Sequence, residues 1–251
     1  MAKAISASYR TSLKTLVNTG ITKERIDRLK SIFVMYVVFW RSYPDLFLDV
    51  LKPKDSAFDF FFYQRIFLRI IFRYNYVFAT FTRAFSKSFL SILSLYIKCI
   101  LYPGVKLFVC AEGKEQAAQI AKDKIYEFWD IWPALKYEVN FGQGVGTTFS
   151  KDSVSLVFKN GSRLGIVQVR DSARGGRKNG GLIEEAILID GQKLNEVIIP
   201  MMNVNRQAKC GGYDPNELHK HQIYVVYSYL CNPTRITIVH HYMETYRSKT
   251  L

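Results

Sequence analysis

The sequence predicts an α/β domain built on a mostly parallel central sheet with flanking helices. Three observations carry this. Short β-branched and aromatic runs (Tyr76–Phe81, Val105–Cys110) alternate with helical segments, and strand–helix–strand–helix order implies parallel strands joined by crossover helices. A length of 251 residues leaves room for one or two domains. Apolar residues make up 49% of the chain and charged residues 22%, a globular mix that excludes wholesale disorder.

The elements follow in order. Residues 1–20 are polar and mixed, reading as a loose basic start and not as a secretory signal. Thr22–Ser42 is expected to be a helix with Thr22 as its N-cap. Pro44-Asp45 turns the chain into a short helix, Asp45–Leu51, and Lys52–Ser56 is a polar loop. Phe58–Tyr74 reads as a helix in which Arg65, Arg69 and Arg73 recur every fourth residue, so they form a basic stripe on one face. Tyr76–Phe81 is a buried strand, Thr82–Lys87 a polar turn, and Ser88–Leu101 a helix closed by Pro103-Gly104. Val105–Cys110 is the second strand and Gly113–Trp129 a long helix. Phe141–Ser150 is a Gly-rich loop. Ser153–Phe158 and Arg163–Gln168 flank Asn160-Gly161, a hairpin turn. A basic loop, Arg170–Lys178, leads into the run Gly181–Ile183, which ends in Glu184 and Glu185. Gly191–Ile199 is a helix stopped by Pro200, Gln222–Ser228 a strand and Thr234–Tyr246 a helix.

The net charge is +14, which points to a polyanionic partner: nucleic acid, nucleotide or an anionic membrane surface. No segment is expected to cross a membrane. Ile32–Trp40 ends at Arg41, Phe89–Tyr102 carries Lys98, and the run Phe60–Phe81 is cut by the three arginines, whereas a span needs ~20 apolar residues. Cys99, Cys110, Cys210 and Cys231 form no CxxC pair, so free, mostly buried thiols are expected. Cys210, His219, His221 and Cys231 match no common zinc spacing. Gly142, Gly144 and Gly146 lack the following helix that a dinucleotide site requires. The aromatic stripe Phe58–Phe81 reads as core and not as a base-stacking platform.

The strongest local feature is Thr82-Arg83-Ala84-Phe85-Ser86-Lys87-Ser88, between a strand and a helix. A phosphate-binding loop needs backbone N–H groups at a helix N-terminus, a Lys that reaches the outer phosphates, and a hydroxyl beside it for Mg²⁺. Lys87 and Ser88 supply the last two, and the strand–turn–helix setting supplies the first. The pattern G-x-x-x-x-G-K-[ST] is degenerate here, because Phe81 and Ser86 stand where the glycines would be. A second site gives the context. Leu182-Ile183-Glu184-Glu185-Ala186 is an apolar strand ending in two acids: one to order a metal's water, the next to activate the attacking water.

With both motifs in this order, the sequence resembles the ATPase domain of phage large terminase subunits over roughly Ser31–Tyr246. The resemblance implies a P-loop NTPase fold at residues 58–251 with an N-terminal helical extension at residues 1–57. It implies Arg83, four residues before Lys87, as a γ-phosphate sensor, and Gln64 in Tyr63-Gln64-Arg65 as an adenine contact. Arg174 in Ser172-Ala173-Arg174-Gly175, eleven residues before Glu185, is implied as an arginine finger acting in trans. Trp40–Phe47 resembles the family's N-terminal segment, and Leu107–Ala111 with Glu115-Gln116-Ala117 its second strand and helix. The expected activity is Mg-ATP hydrolysis coupled to translocation of double-stranded DNA. The implied partners are a portal protein, a small terminase subunit and a homo-oligomeric ring, a pentamer in the family, in the host cytoplasm and docked on the procapsid, with no stable membrane association. The family's nuclease half has no counterpart before Leu251, so no nuclease activity is expected.

Three positions depart from the family pattern: Ser86 for the usual Gly, Glu184 for the usual Asp, and Ser228–Thr234 for the usual small coupling motif. Other readings of the same residues are a helicase-like P-loop ATPase, an ATPase that binds without appreciable turnover, and a basic membrane-surface protein without catalysis using Arg65, Arg69 and Arg73.

Overall fold

The computed structural model describes residues 22–82, 85–111, 114–142, 144, 146–150, 154–168, 176–208, 211–215, 217 and 219–227. The expected basic start and the helix Thr234–Tyr246 lie outside them, as does most of the loop Arg170–Lys178. The chain divides into two units, Met1–Ser42 and Tyr43–Leu251.

The first unit contributes helix α1 (Lys23–Ser42). Thr22 caps it as expected: its Oγ1 accepts the Arg25 backbone N–H at 3.3 Å, satisfying one of the donors a helix start leaves orphaned. Glu24 in the first turn and Arg41 in the last complement the helix dipole. Trp40 packs against Phe33 and Tyr36 on the same helix.

The second unit is the α/β domain. Its strands are β1 (Tyr76–Phe81), β2 (Lys106–Ala111), β3 (Thr148–Phe149), β4 (Val154–Val157), β5 (Arg163–Gln168), β6 (Gly180–Glu184) and β7 (His221–Tyr227), in the order β1-β7-β6-β2-β5-β4-β3. The stretch from β1 to β5 is parallel, and β4 and β3 extend it antiparallel. The β4–β5 hairpin turns at Asn160-Gly161, with Gly161 at φ +89°, where only glycine is unstrained. Asn160 also ties the hairpin to the helix before β2: its Nδ2 donates to the Cys99 and Ile100 carbonyls at 2.8 and 3.0 Å.

The helices of this unit are α2 (Pro44–Leu51), α3 (Phe62–Arg73), α4 (Lys87–Leu101), α5 (Lys114–Ile131) and α6 (Pro133–Lys136). α4 packs on β2, β5 and β6, and 13 of its 15 residues are buried, so it is interior on all sides. The opposite face of the sheet, carrying Phe108, Cys110, Ile183, Tyr224 and Val226, is covered by Val197, Ile198, Met201 and Met202. Alternate strand residues thus serve two cores, as period-2 geometry requires. β6 begins with two glycines because neighbours come too close for anything larger. A Cβ on Gly181 would lie 2.5 Å from the Phe108 ring.

Three expectations are corrected. α3 starts at Phe62, not Phe58, because Phe58 and Phe60 leave the helical path to pack on Trp132, with ring centroids 5.1 and 5.6 Å away. Pro200 does not stop its helix. A π turn, Leu194–Ile198, precedes it, and Pro200 enters the first turn of Ile199–Met201, where a missing N–H costs little. Finally, the arginine stripe is not a free basic face. Arg69 holds the fully buried Asp45 through two bonds of 2.8 and 2.7 Å. Arg65 reaches Asp49 at 2.5 and 3.2 Å, and Arg69 and Arg73 lie over the Tyr43 ring. The arginines join α3 to α2 and its entry. No helix among the described residues is long and apolar enough to cross a membrane.

Candidate nucleotide site

In a parallel sheet all strands end on one edge, and ligands of open α/β sheets bind there. Phe81 at the end of β1 pairs with Tyr227, and Glu184 at the end of β6 pairs with Val225. The loop after β1 and the two acids after β6 therefore emerge on the same edge, one strand apart. α4 starts from that loop and crosses to pack on β6, which brings its first turn to the acids.

The contacts follow from that crossing. Lys87 Nζ donates to Glu185 Oε1 and lies 3.7 Å from Glu184 Oε1. Ser88 Oγ donates to Glu184 Oε1. Lys87 is 4% exposed and Glu184 5%. Residues almost a hundred positions apart in the chain thus form one cluster, with Lys87 and Glu184 buried and Ser88 and Glu185 half-buried. Two carboxylates share one lysine in it, and Glu185 Oε2 is buried with no hydrogen-bond donor.

The backbone is strained at the same place. Ser86 (φ 53°) and Glu185 (φ 50°) are left-handed, as is Lys220; these are the non-glycine residues with positive φ among those described. Such a conformation costs roughly 1–2 kcal/mol per residue and persists only where the surroundings impose it. They do so here. The Glu185 N–H donates to the Val225 carbonyl at 2.9 Å, and the Ser86 carbonyl accepts the Leu90 N–H at 2.9 Å, opening α4. Ser86 thus keeps the backbone shape a glycine would take without cost.

Of the remaining candidates, Thr82 is exposed just after β1 and Phe85 lies at the mouth of the loop. Arg83, Ala84, Arg174 and the coupling segment Ser228–Thr234 lie outside the described residues. Gln64 is 4% exposed, and its carboxamide is committed. Oε1 accepts the Phe61 backbone N–H at 3.0 Å, and Nε2 donates to the Tyr63 hydroxyl at 3.4 Å. This is one half of a capping box, with Gln64 at the third position of α3. The structure brings Lys87, Ser88, Glu184 and Glu185 together and gives Gln64 a helix-capping role.

Sequence reasoning missed an aromatic group beside the loop. The Tyr63 and Phe85 ring centroids are 4.1 Å apart, and Phe61 stacks on Tyr63 at 5.9 Å. The expectation that the stripe Phe58–Phe81 is core holds for Phe60, Phe67 and Phe72 but not for Phe61 and Phe62, which are 67% and 79% exposed.

No protein-family model matches the chain, and no curated protein does. Among solved structures, the HK97 bacteriophage large terminase matches over 74% of this chain and 37% of that one, with a TM-score of 0.52 and 13% identity. The chain shares its fold with part of that large terminase. The ATPase domain of the large terminase of Thermus phage P74-26 aligns over 70% of this chain and 69% of its own, with a TM-score of 0.46 and 14% identity. A large terminase from a thermophilic bacteriophage, solved in complex with ADP, aligns over 62% and 34%, with a TM-score of 0.39 and 9% identity. This chain thus covers little more than a third of the HK97 large terminase chain it matches.

Proposed function

We propose that this chain is the ATP-hydrolysing motor unit of a viral DNA-packaging machine, moving double-stranded DNA into a procapsid. The observation that supports it is the convergence of Lys87, Ser88, Glu184 and Glu185 on the carboxyl edge of the parallel sheet. Residues 58–251 form the motor domain in this reading, and residues 1–57 its helical extension.

The residues present fit a hard divalent cation such as Mg²⁺. Ser88 Oγ and Glu184 Oε1 are oxygen donors already in contact, and the unsatisfied Glu185 Oε2 marks a demand for positive charge. Ser88 and Glu184 would hold the ion, which supplies charge neutralisation to the phosphates. The rest is the chain's own work. The N-terminus of α4 offers backbone N–H groups to the phosphates. Lys87 exchanges its bond to Glu185 for one to a phosphate oxygen. Glu185, released, orients the attacking water and accepts its proton. Arg83 senses the γ-phosphate, and Arg174 of a neighbouring subunit in the ring offsets charge as it develops there. A portal protein and a small terminase subunit are the further partners, and the setting is the procapsid in the host cytoplasm. The DNA grip is mainly phosphate contact, so it weakens with salt and does not read sequence.

Calorimetry of Mg-ATP binding tests this on the wild-type chain and Lys87→Ala. The reading expects binding that Lys87→Ala abolishes. A folded wild type that binds no Mg-ATP would sink it.

A further inference from the structure

Gln64, the residue implied as the adenine contact, does not present a free edge to a base. Reading adenine takes a donor and an acceptor presented together, as a free Gln or Asn carboxamide does. Gln64 is buried, with its oxygen on the Phe61 N–H and its nitrogen on the Tyr63 hydroxyl. Turning it outward would remove the acceptor that caps the start of α3. At the loop's mouth, π-faces stand there instead. Phe85 precedes Lys87 by two residues and is 38% exposed. Its ring centroid is 4.1 Å from that of Tyr63, and Tyr63 in turn stacks with Phe61, which is 67% exposed. Phe60, Phe67 and Phe72 of the same stretch are buried in the core, whereas Phe62 is 79% exposed; what distinguishes Phe85 is its place two residues before Lys87.

Resting on the motor reading above, we propose that Phe85, backed by Tyr63 and Phe61, holds the nucleobase by stacking alone, so that the substrate class is nucleoside triphosphates in general and not ATP specifically. Stacking on an aromatic ring tolerates any base, because every base has a π-face. Bidentate edge contacts are what discriminate among bases, and the capped Gln64 offers none. The phosphates stay with Lys87 and Ser88, so the two halves of the ligand are bound by separable parts of the site.

Calorimetry with Mg-ATP, Mg-GTP, Mg-CTP, Mg-UTP and Mg-pyrophosphate tests the proposal. The four triphosphates should bind within about threefold of one another. Phe85→Leu should weaken all four by about tenfold while leaving pyrophosphate unchanged, and Phe85→Tyr should restore them. Gln64→Glu keeps the cap acceptor and removes the amide donor, so the ATP-to-GTP ratio should stay within about twofold. A preference for ATP of tenfold or more that Gln64→Glu erases would overturn the stacking proposal alone. Parallel loss of pyrophosphate in Phe85→Leu would also overturn it, by showing that the loop itself had been damaged. Failure of every triphosphate to bind the wild type would remove the motor reading and this proposal with it.

Discussion

Helix α4 carries a buried lysine near each end, and the two meet opposite surroundings. Lys87, at the carboxyl edge of the sheet, sits between Glu184 and Glu185. Lys98, roughly 16 Å further along the helix, is equally buried but has no carboxylate within ion-pair distance among the described residues. The nearby Glu217 is committed to Arg206, at 2.6 Å from its Nε. What Lys98 meets is the Phe72 ring at 5.4 Å, and it lines the same small cavity as His221, whose ring burial keeps neutral. Burial pushes the Lys98 ammonium down to about 7, with Glu217 pulling the other way. The contrast shows that burying a lysine is not by itself a functional mark. At one end of α4 the charge is met by acids beside strained backbone. At the other, desolvation simply drives the group toward neutrality.

The sharpest way to break the comparison is Glu185→Gln. It removes the proton acceptor but leaves Glu184 beside Lys87 and Ser88. Turnover should fall by about 10²–10⁴-fold, the usual worth of a positioned general base, while Mg-nucleotide binding persists. Phosphate release and calorimetry on the same preparation separate the two quantities. Unchanged turnover would remove Glu185 from its proposed role.

Lys98→Met tests the other end and should act in the opposite direction, on stability. With the folded lysine near 7 and the unfolded one near its ordinary value, the unfolded chain binds the extra proton between those limits. Stability should therefore rise with pH from about 7 to about 10.5. Below that window the desolvation penalty applies in full. Lys98→Met should raise stability by about 2–4 kcal/mol at pH 7, with the gain shrinking toward pH 10. Thermal melts of both proteins at pH 6, 8 and 10 check the size and the slope. A destabilised variant would mean that Lys98 holds a favourable contact after all.

How far the sequence reveals these two ends differs for a physical reason. The paired motifs at the carboxyl edge were legible because each is local: Lys87-Ser88 opens a helix, Glu184-Glu185 ends an apolar run, and parallel topology does the rest. The Asn160-Gly161 hairpin, the Thr22 cap and the span of β1 were legible on the same grounds, but β1 is a half-exposed edge strand and not the buried one expected. Long-range partnerships were not. The spacing of Arg65 and Arg69 fixes that they share a face, but only Asp45 and Asp49 on α2 decide that the face turns inward. Phe58 and Phe60 leave the helix because of Trp132, far along the chain. Gln64 is an intermediate case. A Gln at the third position of a helix is a capping signal, but it could be read only once the start of α3 was known to be Phe62.

The smallest expected effect bears on the strain that distinguishes the Lys87 end. Ser86 holds φ 53° without a side-chain cap bond, so no capping bond offsets the steric cost of its Cβ. Ser86→Gly removes that steric cost, of roughly 1–2 kcal/mol, but adds freedom to the unfolded chain that offsets up to about 1 kcal/mol. The net should be a gain of about 0.5–1 kcal/mol, or ~2–3 °C in melting temperature for a domain of this size. Ser86→Ala keeps the Cβ and should show no such gain. If both variants melt together, the left-handed turn is not a source of strain, and the difference between the two ends of α4 reduces to charge pairing alone.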